Sequence, residues 1–102
     1  MKVLTLIVHT NVQHALADSL RGMKQVPGFS FSQVEGHGRD SESDTFLSAR
    51  DDAIGYIPRV RTDILLEDAD VDAVLTTLCE QEPRLSGQGV YWVTTAEKGG
   101  HL

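Results

Sequence analysis

The chain opens with KVLTLIV, residues 2–8, a nearly unbroken apolar and β-branched run. That is the pattern of a strand covered on at least one face. In residues 9–25, HTNVQHALADSLRGMKQ, Val12, Ala15, Leu16, Leu20 and Met23 recur at helical spacing, with Thr10 or Asn11 as the predicted N-cap. The helix is expected to stop before Pro27-Gly28. FSFSQV, residues 29–34, alternates: Phe29 and Phe31 face one way, Ser30 and Ser32 the other, as in a half-buried strand. IPRVRTDILL predicts a third strand with Pro58 near its entrance. Residues 67–82 predict a second helix, because Val71, Val74, Leu75 and Leu78 fall at i, i+3, i+4 and i+7. Its start gathers Glu67, Asp68 and Asp70, where the helix dipole favours negative charge. A glycine-bearing turn, PRLSGQG, leads into VYWVTT, a fourth strand, and the tail AEKGGHL carries no pattern.

Strand, helix, strand, strand, helix, strand is an α+β order. With right-handed crossovers in one sheet it gives the ferredoxin-like βαββαβ sandwich, both helices on one face. Its anomaly is the connection between the second and third strands. Residues 37–55 are mostly polar, rich in acids and without a period, whereas a two-residue turn would close that hairpin. Connections of this length in a compact domain are uncommon unless they work as binding elements or are disordered.

Composition narrows the function classes. A chain of 102 residues is one domain, 1–102, with room for a single core. A net charge of −6 argues against a nucleic-acid backbone or an anionic lipid surface as partner. The single cysteine, Cys79, forms no internal bridge and suits a reducing compartment. It falls on or beside the apolar stripe of the second helix, where a structural thiol is the default. The first apolar run is too short for a signal peptide, and no stretch is long enough to cross a bilayer. The expected location is therefore cytoplasmic, without direct membrane insertion.

Candidate chemistry sits in the turns. In GHGR, Gly36 and Gly38 let the backbone turn tightly and approach a ligand, and Arg39 could grip a phosphate or carboxylate with paired donors. A strand exit with a surface arginine is the plainer alternative, and spacing leaves both open. Ser86 to Gly89, SGQG, offers backbone amides for an anion nest or is simply a helix-to-strand turn. In the connection, Asp40, Glu42 and Asp44 approach a calcium-loop pattern, but Thr45 and Asp51 stand where its glycine and closing glutamate belong. A solvated polar segment is the better reading of these acids. Phe46 and Leu47, an apolar pair amid polar residues, suit an anchor for a partner surface or for a neighbouring subunit. Of the four histidines, His9, His14, His37 and His101, no two share a ligand spacing on one helix. His37 and His101 are the candidates for a divalent metal, in a site shared between subunits or completed by Cys79. No acid–base pair can be assembled, so the chain is not expected to be an enzyme.

The succession VEGHGR, long connection, YIPRVRTDILLEDADVDAVL and SGQGVYWV resembles the PII signal-transduction (nitrogen regulatory) family across nearly all of residues 1–95. That family has GFGR, a long T-loop, LPKVK, an acidic helix start and a GDGKIFV turn and strand. The resemblance implies a homotrimer with ligand clefts between subunits. It also implies a T-loop, here 37–57, that docks on transporters or enzymes, and a phosphate-binding B-loop, here 83–89. Gly36, Gly38 and Arg39 match the ligand-contacting strand exit, Gly87 and Gly89 match the B-loop, and Arg59 stands for a lysine with the charge kept. Val90 and Gln88 replace the B-loop lysine and aspartate, and Asp40 replaces the glutamine that helps hold magnesium and 2-oxoglutarate. Asp52 stands where some members carry a modified tyrosine, and the basic C-terminal segment is replaced by KGGHL. Fewer cations around a polyphosphate means fewer charge-assisted contacts. An adenine nucleotide is thus a candidate ligand without the usual affinity. The acidic loop and histidine-bearing tail look like PII-like branches associated with heavy-metal efflux, which points to metal tolerance.

The expected function is a regulatory protein that controls a partner, such as a membrane transporter, through its loop, gated by a small ligand. The loop contacts would be Glu42, Asp44, Phe46, Leu47, Arg50 and Asp52, and the ligand contacts Gly36, Gly38, Arg39, Asp40, Arg59, Gly87 and Gly89. The alternative is a metal-binding protein linked to heavy-metal tolerance.

Overall fold

A computed structural model of the chain describes residues 1–38, 56–82 and 84–102. Strand β1 (Lys2–His9) is followed by a 3-10 turn (Thr10–Val12) and helix α1 (Gln13–Arg21). After β2 (Phe31–Gly36) and β3 (Ile57–Leu66) come a second 3-10 turn (Asp68–Asp70), helix α2 (Val71–Glu80) and β4 (Gly89–Thr95). The sheet order is β2-β3-β1-β4, with every neighbouring pair antiparallel. This is the ferredoxin-like sandwich that the element order predicts.

The strand period decides what each face carries. On β1, Leu4, Leu6 and Val8 point to the helix layer, and on β3 their register partners Ile64, Thr62 and Val60 do the same. Leu16 and Leu20 of α1 and Val71, Val74 and Leu78 of α2 close on them as one core. Phe29 and Phe31, tilted with centroids 5.5 Å apart, pack at its edge. The opposite face of the sheet carries Val3, Thr5 and Ile7, and neither helix of the described residues packs over it. Thr62 brings a hydroxyl into the core, and among the described residues its oxygen has no hydrogen-bond partner.

Several boundaries differ from the sequence expectation. Thr10 and Asn11 do not cap α1 but lie inside the 3-10 turn, whose cap is His9: its ring Nδ1 accepts the Asn11 N–H at 3.1 Å. α1 ends earlier than expected, at Arg21, with Gly22 as its C-cap, although Met23 still reaches the core. β2 starts at Phe31 rather than residue 29, because pairing begins only at Phe31↔Thr62. Cys79 is exposed, not a core thiol: the stripe through Val71, Val74 and Leu78 passes beside it. The β3 boundaries agree with the expectation, and Pro58 lies just beyond Arg59, the last residue that β1 pairs, so its missing N–H breaks no rung with β1.

Candidate functional site

One end of the sheet gathers several of the residues that the sequence marked, Gly36, Arg59, Gly87 and Gly89. β1 and β2 finish there while β3 and β4 begin, so His9, Gly36, Ile57 to Arg59 and Gly89 share a rim. Gly36 is the register partner of Ile57, which places the two roots of the long connection side by side on one rung. Arg59 folds across that rung: a Cβ on Gly36 would stand 2.7 Å from Arg59 Cγ, 2.9 Å from its Nε and 2.9 Å from the Ile57 carbonyl oxygen. Glycine is therefore the residue that lets the guanidinium stem lie over the strand exit. Gly38 has nothing within 4 Å of such a position, so no steric reason for glycine acts there.

The SGQG turn is fixed to the same rim by backbone bonds. Leu85 N–H donates to Leu78 O at 2.9 Å and Gln88 N–H to Leu85 O at 3.0 Å, while Gln88 O accepts the His9 N–H at 3.1 Å. Gly87 has φ +81°, a left-handed conformation that glycine adopts without strain. A Cβ at Gly89 would overlap the Ile7 carbonyl and come 2.8 Å from Val8 Cα, so β4 enters the sheet by close approach to β1. The Gln88 amide is thus engaged inside the turn, and an anion nest here would draw on the amides before it. The Gln88 side-chain Oε1 is buried without a partner among the described residues.

His9 is buried in this rim, and its accepting Nδ1 leaves the proton of the neutral ring on Nε2. The sequence counted His9 as one of four histidines and assigned it no role. Its burial depends on cross-strand register, which local spacing does not show. His37 is exposed just beyond β2, its Nε2 3.3 Å from Glu35 Oε2 and its ring 5.8 Å from that of Tyr56. His101 does not join it within one chain. Ala96 N–H donates to Met1 O and the tail's Gly99 lies against Leu65, at the other end of the sheet. From Ile57 to Leu65 is roughly 26 Å of strand at about 3.3 Å per residue. A metal site using both histidines would need two chains. Among the described residues, no three His, Cys, Asp or Glu side chains come together as ligands. Arg39, Asp40, Glu42, Asp44, Phe46, Leu47, Arg50 and Asp52 lie outside the described residues.

A second cluster, on the open face, escaped the sequence reading. The Thr5 hydroxyl donates to Asp63, which also holds the Arg61 guanidinium through contacts of 3.2 and 3.3 Å, and Arg61 lies 5.7 Å from the Trp92 ring centroid. The Arg61 bond and then the Thr5 bond keep the Asp63 carboxyl below its ordinary value. At the far end of the sheet, the Met1 ammonium, 2.8 Å from Asp68, lowers that carboxyl in the same way.

A family model described as a protein of unknown function, DUF3240, matches residues 1–102. The chain belongs to the DUF3240 family. A crystal structure of a DUF3240 family protein from Shewanella baltica OS155 superposes with a TM-score of 0.72 at 23% identity, covering 99% of this chain and 94% of that one. At that identity the likeness shows the fold. No curated protein matches the chain. No helix among the described residues is long and apolar enough to cross a membrane.

Proposed function

We propose that this DUF3240 protein is a regulatory subunit of the PII-like kind. It assembles as a homotrimer, binds a small anionic ligand at the rim of the sheet, and uses residues 37–57 to engage a partner protein, with a membrane transporter as the expected class. The observation that carries this reading is the rung Gly36↔Ile57 under Arg59. A ligand gripped by Arg59 would touch both roots of the connection at once. Its binding energy could therefore bias how the connection leaves the sheet, which is the physical content of a ligand-gated loop. The adjoining SGQG turn supplies backbone donors and the His9 backbone anchor.

Calorimetric titration with ATP, ADP and 2-oxoglutarate tests the ligand. Heat with one of them in the wild type that disappears in Arg59→Ala is the expected result. No heat with any of the three in the wild type would sink the nucleotide and oxoacid readings together. Deletion of residues 41–51 is expected to abolish capture of the partner while leaving the scaffold folded, and capture undiminished by the deletion would refute the docking role.

The alternative of metal binding has one observation in its favour, the His37 and Glu35 side chains 3.3 Å apart beside the same rim. Titration with copper and zinc distinguishes it. Tight metal binding lost in His37→Ala, with no heat from the nucleotides, would replace the first reading.

A further inference from the structure

Helix starts are usually capped by Ser, Thr, Asp or Asn, whose side-chain oxygens accept an amide in the same charge state across the neutral range. The turn after β1 is capped by a group that titrates. His9 has the extended backbone of a cap (φ −62°, ψ 142°), and its ring Nδ1 accepts the Asn11 N–H at 3.1 Å. The same residue gives its own N–H to Gln88 O at 3.1 Å, and its register partner on β3 is Arg59. One side chain, 3% exposed, therefore stands where the 3-10 turn, the SGQG turn and the root of the long connection meet. Imidazole ordinarily takes up a proton near pH ~6.5. An Nδ1 that accepts a hydrogen bond has no lone pair left for that proton, so the cap and the charge exclude each other.

We infer that His9 is a pH-sensitive latch: the neutral ring ties the Thr10–Val12 turn to the rim, and protonation releases it. A proton on Nδ1 turns two N–H groups towards each other, that of the ring and that of Asn11. It also creates a charge in a site from which water is excluded, which is costly. The charged groups on the described elements packed against His9 favour the neutral ring. β3 presents Arg59, a fixed cation, and then Arg61, whose charge Asp63 takes up. β4, the SGQG turn and the 3-10 turn carry no charged side chain. On α1, His14 is 90% exposed and pairs with Asp18, which also holds Arg21. An unfolded chain takes the proton freely. The folded state is therefore fully stabilised above about pH 6.5 and loses stability as pH falls through that value. A ring this deeply buried reaches water only if its surroundings move, and the nearest bonds are those that Asn11 and Gln88 make to this residue. Acidification thereby loosens the rim in which the long connection is rooted. The latch needs no ligand, so it stands or falls apart from the reading above.

His9→Asn separates capping from titration, because an asparagine oxygen caps without taking up a proton in this range. Thermal melts of both proteins from about pH 7.5 to about pH 5.5 read the difference. The wild type is expected to lose about 4–8 °C more than the variant, the shift that one proton taken up only on unfolding produces. Residue-resolved hydrogen exchange on the wild type, corrected for the intrinsic effect of pH, locates the loss. Protection of the Asn11 amide is expected to fall by about 10-fold over the same range. That of the Gly22 amide, bonded to Asp18 O at the other end of α1, is expected to hold. Parallel melting curves for the two proteins overturn the latch. So does Asn11 protection that holds throughout in the wild type, which decides the matter even where His9→Asn does not fold. His14→Ala removes an exposed imidazole and is expected to leave the wild-type profile unchanged. A profile flattened by that substitution would make His14 the titrating group and overturn the assignment to His9.

Discussion

Gly36 and Thr62 show how single atoms decide what a position tolerates. A methyl at Gly36 would press on the Arg59 side chain, which is flexible, and on the Ile57 carbonyl, which is not. Gly36→Ala is expected to destabilise the fold by about 1–3 kcal/mol, the usual range for overpacking. Urea unfolding measures it, and an unchanged midpoint would mean that β2 shifts freely. Thr62 is 1% exposed and sets a hydroxyl that has no partner among the described residues against Leu6 and Phe31. Thr62→Val keeps the shape and removes the buried polar atom, so a gain of about 1–2 kcal/mol is expected in the same measurement. The glycines of GHGR and SGQG were legible as turn residues from sequence. Which of them are sterically required was not, because the crowding atoms at Gly36 and Gly89 belong to neighbouring strands.

At the scale of elements, cross-strand pairing produces what no single segment contains. Thr5, Asp63, Arg61 and Trp92 come from β1, β3 and β4, and register alone makes them one cluster. The bonds from Arg61 and then Thr5 to ionised Asp63 hold its carboxyl below the ordinary aspartate range in the folded state. Their stabilisation is therefore present above about pH 4 and lost as pH falls through the folded-state value. Asp63→Asn removes that titration. Its melting temperature is expected to fall less steeply than that of the wild type as the buffer is taken from pH 5 towards pH 3. Parallel curves would show that Asp63 is unperturbed. The strand and helix periods predicted the four strands and two α-helices of the described residues, since alternation and i, i+3, i+4 spacing are local properties. The helix ends were less legible. His9 caps the first turn in a way that no Ser, Thr, Asp or Asn signal announces.

At the scale of the whole molecule, the sheet and core of the described residues are built from segments that flank the long connection, and the pairings of β2 with β3 run from Phe31↔Thr62 to Gly36↔Ile57. Deleting residues 41–51 shortens the closure between Gly36 and Ile57 by about half, which favours folding by about 0.6 kcal/mol. The melting temperature is expected to hold or rise slightly, and unfolding of the variant would show that the segment belongs to the core. The order of apolar periods was enough to determine the α+β class and the βαββαβ order, because burial forces each amphipathic segment onto one sheet or one helix layer. Even the place of the anomalous connection followed from it. Tertiary structure alone decided that Arg59 lies over Gly36, that His9 is buried against the SGQG turn, that His37 and His101 stand at opposite ends, and that β4 is left bare on both faces. Those are relations between residues distant in the chain. They depend on strand order and register, and a local pattern carries information about neither.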